Sequence, residues 1–95
     1  MCVPLSRRQF FEAMSAEIAR SFDAQKLSFE TADAAMNDLW SIALYEDQEV
    51  PPLLGEVYFA FDAGEMASPL RPPYDPVETD TRPSIRKIVE RLSAA

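Results

Sequence analysis

An all-α fold, a compact antiparallel four-helix bundle, is what this 95-residue sequence predicts, and three observations predict it. Apolar side chains recur at i, i+3 and i+4 in four separate segments. The chain has only two glycines, while its eight prolines gather mainly outside those segments, a composition that suits helices with stiff connections. No second strand candidate exists to pair with the one stretch that could alternate as β. With 47% hydrophobic and 26% charged residues the chain can bury one thin core, so residues 1–95 read as a single helical domain.

The first helix is expected over residues 7–22. Ser6 with Gln9 three residues on matches a capping box, and Leu5 and Phe10 are spaced for a hydrophobic staple. Phe11, Met14, Ile18 and Phe22 form its apolar stripe, while Arg7 and Arg8 oppose the helix dipole at a small cost. The second helix is expected over 28–46, with Ser28 as N-cap. Phe29, Ala32, Met36, Leu39, Trp40, Ala43 and Leu44 make its stripe; Glu30, Asp33, Asn37 and Asp38 lie off it.

"LLGEVYFAFDAGE", residues 53–65, can be read two ways. Val57, Phe59 and Phe61 could alternate as a strand, but Leu54, Val57, Tyr58 and Phe61 fit a helical stripe, and Pro51-Pro52 suits a helix start. A lone strand has no hydrogen-bonding partner, so a helix over 52–64 is expected despite Gly55. On that wheel Glu56 faces outward, Asp62 flanks the stripe and Phe59 falls outside it. Trp40, Tyr58 and Phe61 are expected in the core. Residues 66–81 read as a stiff loop with four prolines, anchored by Tyr74 and Val77. The fourth helix follows over 83–93, with Pro83 near its first turn and Ile85, Ile88, Val89 and Leu92 buried.

Little in the composition supports catalysis. Cys2 is the single cysteine and histidine is absent, which removes disulfides, the usual general base and the commonest zinc ligand. Serines and threonines fall at caps and turns. Asp75, Glu78 and Asp80 form the best carboxylate group for a divalent ion, but not at the spacing of a calcium-binding loop. The expectation is a non-enzyme without cofactor or metal. No apolar run reaches the ~20 residues of a membrane span, and the N-terminal arginines follow the apolar start, the wrong order for a signal peptide. A cytoplasmic location is expected, with no membrane partner.

The net charge of −7 is unevenly spread. Residues 27–81 carry twelve acids and one base, whereas the segments before and after are weakly basic. Such a surface repels phosphates, so direct nucleic-acid binding is not expected. A basic protein partner suits it better.

The C-terminal half, "LGEVYFAFDAGEM" followed by a Pro/Tyr/Asp loop, "VETD" and "RPSIRKIVERL", resembles the immunity proteins of the colicin D type. "QKLSFETADAAMNDLW" also resembles that family's second helix, and the pattern extends over residues 8–93. The resemblance implies a four-helix bundle that binds, 1:1, the basic nuclease domain of a toxin cleaving transfer RNA in its anticodon loop. Its carboxylates would stand where RNA phosphates lie. The matching acids here are Asp62 and Glu65 at the end of the third helix and Asp75, Glu78 and Asp80 after it. The outward Glu56 extends that surface, and the free protein is expected to be monomeric. Pro69, Pro72, Pro73 and Pro76 stand where the family's loop is more acidic, and Gly64 interrupts the helix end. The alternative is a small helical adaptor that binds a protein partner through Phe59 and Tyr74.

Overall fold

The computed structural model describes residues 6–47, 50–65 and 75–94. Helix α1 spans Arg7–Asp23, α2 Phe29–Asp47, α3 Pro52–Gly64 and α4 Arg82–Ala94, and a π-helical turn, Val77–Thr81, runs directly into α4. The fold is the all-α four-helix bundle. Helices α1 and α3 occupy its middle, each packed on both α2 and α4, which scarcely meet one another.

Local chemistry sets the helix ends. The Ser6 hydroxyl accepts from the Gln9 N–H at 3.1 Å while the Gln9 side chain accepts from the Ser6 N–H at 2.9 Å, completing the capping box. Leu5, the expected staple partner of Phe10, lies outside the described residues. At its other end α1 closes with Gln25 in the left-handed region (φ 62°) and a Lys26 N–H bond to the Ser21 carbonyl at 2.8 Å. Ser28 then caps α2, accepting from the Thr31 N–H at 3.2 Å. Pro51 and Pro52 start α3 as expected, because a proline in the first turn gives up an N–H that has no helical partner.

The core is built around Phe22 of α1 and Phe61 of α3, which meet edge-to-face at 5.0 Å, with Met36, Leu54, Val57 and Ile85 wholly buried around them. Two expected stripe residues are displaced from it: Met14 and Leu44 are exposed. In α1 the buried face is centred on Phe11, Ser15, Ile18 and Phe22 and widens toward the small Ala16 and Ala19, which leaves Met14 on the rim. In α2 the face runs through Ala32, Met36, Leu39 and Ala43, and Leu44 is turned away from it.

The sixteen-residue loop expected over 66–81 is shorter than that. The backbone is helical from Pro76 onward, and residues 66–74 lie outside the described residues. The Arg82 N–H bonds to the Val77 carbonyl, the wider ring of a π turn. Pro83 follows at once, so it sits within a continuous helical segment instead of near its start. A proline ring clashes with the carbonyl four residues back in an α-helix, and the widened turn relieves that clash. This turn packs against α3, where the buried Thr81 hydroxyl donates to the Ala60 carbonyl at 2.7 Å.

Candidate functional site

Helix α3 positions the site. Because Leu54, Val57 and Phe61 are buried, the helical period carries Glu56, Phe59 and Ala63 away from the centre of the core and sets Tyr58 and Glu65 toward α2. Phe59 is 58% exposed, as expected for a residue outside the stripe, yet it packs against two other rings. Trp40 of α2 and Tyr58 stack face to face at 4.1 Å, and Phe59 stands edge-on to both at 5.4 and 5.3 Å. Trp40 and Tyr58 are therefore only partly buried; of the three aromatics expected in the core, Phe61 alone is fully so.

Beyond this aromatic group, Asp62 and Glu65 of α3 come together with Asp33 of α2. Partial burial, then the neighbouring charge of Glu65 and a hydrogen bond with it, then the charge of Asp62, push the Asp33 carboxyl up to about 6. The Asn37 amide, which donates to Asp33 at 3.4 Å, offsets only part of this. Among the described residues no Lys or Arg forms an ion pair with any of these three acids. The neighbouring carboxylates add to the cost of ionising Asp33.

Three other acids are paired with arginines of α4. Arg91 makes a two-pronged pair with Glu56, Arg86 meets Asp23 at 2.7 Å and Arg82 meets Glu78 at 3.1 Å. All three arginines belong to α4, so the basic C-terminal helix neutralises acids of α1, α3 and the π turn but none of the α2–α3 cluster.

Of the sequence-predicted site residues, the structure brings Asp62, Glu65 and Phe59 onto one side of α3. Glu56 lies on the same helix, tied to α4. Asp75, Glu78 and Asp80 sit at the π turn, where the Asp75 carboxylate accepts from the Val77 N–H at 3.0 Å and caps the helix. Tyr74 lies outside the described residues. Asp33 is the residue that sequence reasoning passed over. Its signal was available: Asp33 and Trp40 are seven residues apart, hence on one flank of α2, and that flank faces α3.

A groove of about 380 Å³ runs between α3 and α4, lined by Glu56, Phe59, Ala60, Ala63, Ser84, Lys87 and Ile88. Among the described residues no three Asp, Glu or Cys side chains are arranged to hold a metal ion, and no helix is long and apolar enough to cross a membrane. The arrangement therefore offers attraction to a cationic surface next to an exposed aromatic contact. Comparison with protein-family models, with curated proteins and with solved structures finds no match.

Proposed function

We propose that this chain is an immunity protein: it binds the basic active site of a tRNA-cleaving toxin, 1:1, and blocks it with a carboxylate surface that mimics RNA phosphates. The observation that carries this reading is the crowding of Asp33, Asp62 and Glu65 with no cation paired to them among the described residues, where partial burial together with the Glu65 and Asp62 charges pushes Asp33 up to about 6. A cluster that repels itself in the free protein gains most from a cationic partner, because binding supplies the missing charge. The uneven charge of the chain, concentrated in residues 27–81, adds long-range attraction that speeds encounter. On this reading the chain works in the cytoplasm, where the transfer RNA is, and needs no chemistry of its own.

The test is protection of transfer RNA from a basic tRNA-cleaving toxin domain encoded beside this chain, at low and high salt. Stoichiometric protection is expected, with slower association in salt. The triple variant Asp33→Lys, Asp62→Lys, Glu65→Lys should lose it by 100-fold or more, on the scale of about 1.4 kcal/mol per decade. Full protection by that variant would falsify the acidic-surface reading.

A second reading is favoured by one observation, the exposed Phe59 set edge-on to Trp40 and Tyr58: an adaptor that docks a partner mainly through aromatic contact. In that case Phe59→Ala abolishes binding and the charge reversals change it little.

A further inference from the structure

We infer that the outward face of α3 is a self-association surface, on which a second copy of this chain docks about a twofold axis with the Phe59 of each copy entering the α3–α4 groove of the other. The inference stands apart from the toxin reading and revises the expectation that the free chain is monomeric. One face of α3 carries both halves of such a contact. The Phe59 ring is exposed on it, with Trp40 and Tyr58 packed behind. Beside that ring lies the groove, whose apolar lining includes the small or branched Ala60, Ala63 and Ile88. Phe59 already forms the rim of its own groove, so the ring and the depression can fill one another only between two molecules. Exposed aromatic side chains beside a depression are the pattern of energetic hot spots.

Charge selects that occupant. Two charged side chains line the groove, and Glu56 is already held by its two-pronged pair with Arg91. Lys87 is the other, and among the described residues no acid is paired to it. An apolar side chain seated in the groove is therefore favoured when it brings a carboxylate with it. Phe59 does so: Asp62 lies one helical turn further along and has no paired cation among the described residues. The helical period sets Asp62 and the groove on opposite flanks of Phe59, Asp62 toward Asp33 of α2 and Ala60 and Ala63 toward α4. A twofold axis running along α3, between Phe59 and the groove, exchanges those flanks. Each Lys87 then meets the Asp62 of the other copy while each Phe59 meets the other groove. The two halves are identical by symmetry, so the contact closes at two copies and does not grow into a filament. An unrelated acidic segment would satisfy Lys87 but be repelled by Asp62, whereas a second copy neutralises both.

The experiment is sedimentation equilibrium of the full chain over roughly 1–500 µM, the range that suits a small interface. The parent chain is expected to pass from monomer to dimer with concentration and to form nothing larger. Phe59→Ala should weaken dimerisation by about tenfold or more, as loss of a central aromatic contact implies. Lys87→Glu and Asp62→Lys, each made alone, should weaken it by about tenfold, because each sets like charges against one another twice across the axis. Mixed in equal amounts, these two variants should pair with each other at close to parental strength. In that mixed dimer the substituted position 87 faces the substituted position 62 with opposite charge, and the untouched Lys87 and Asp62 face each other. A merely structural role for either residue gives no such recovery. A parent chain that stays monomeric throughout, a dimer indifferent to Phe59→Ala, or charge variants that fail to pair when mixed overturns the twofold contact. None of these results bears on the toxin reading, which the protection assay tests separately.

Discussion

Gly55 and Gly64 occupy one helix and should respond in opposite ways to the same substitution. A Cβ at Gly55 would meet only a Val50 methyl, at an ordinary 3.9 Å, so Gly55→Ala gains helix propensity without strain. The expected stabilisation is about 0.5–1 kcal/mol, a rise of a few degrees in Tm. At Gly64 the same Cβ would press into the Thr81 hydroxyl and the Phe29 ring, the latter 2.8 Å away. Gly64→Ala is expected to destabilise by about 1–3 kcal/mol, the usual cost of overfilling a packed contact. Urea melts of the two variants check both signs. The sequence marks Gly64 only as an interruption at a helix end; its reason lies in residues distant in the chain, which the local pattern cannot contain.

The π turn and α4 illustrate what an element needs from its neighbours. Thr81 docks the turn onto α3 through a buried hydrogen bond, whereas the pair of Arg86 with Asp23 lies largely in solvent on its arginine side. Thr81→Val should therefore cost about 1 kcal/mol, the net worth of a buried hydrogen bond. Arg86→Ala should cost less, because an exposed pair is screened. Thermal melts that reverse this order would show that the surface pair, not the buried hydroxyl, holds α4 in place. The early start of this helical segment was legible. Asp75-Pro76-Val77-Glu78 carries an N-cap acid, a proline at the first position and a glutamate at the third, the ordinary signature of a helix start. Reading the prolines of residues 66–81 together as a loop hid it.

Across the whole molecule, the distribution of charge links stability to pH. Asp33 titrates higher in the folded chain, at about 6, than the ~3.9 of a free aspartate, so the fold binds more protons than the unfolded chain between those values. The contribution of Asp33 to stability is thus full below about pH 4, falls as pH rises through 6, and stays low above it. Asp33→Asn removes this dependence: its Tm should exceed that of the parent at pH 7.5 and match it more closely at pH 4. Scanning calorimetry at the two pH values decides the matter, and an equal difference at both would show that Asp33 does not titrate in this way. The same protonation weakens the proposed complex below pH 6, since a neutral Asp33 offers no charge to a basic partner.

By itself the sequence determined the four helices, their caps and most of their buried stripes, because these depend on spacing along one chain and on side chains within a turn of each other. It also determined the concentration of acid in residues 27–81, which needs only counting. The tertiary structure alone decided which carboxylates are neutralised by the arginines of α4 and which are left crowded. That outcome depends on the rotation of each helix about its axis, and hence on where Ala16, Ala19 and Gly64 allow close approach. The spacing to Trp40 puts Asp33 on one flank of α2, but that this flank faces Asp62 and Glu65 of α3 follows from the packing of Met36 and Leu39 in the core.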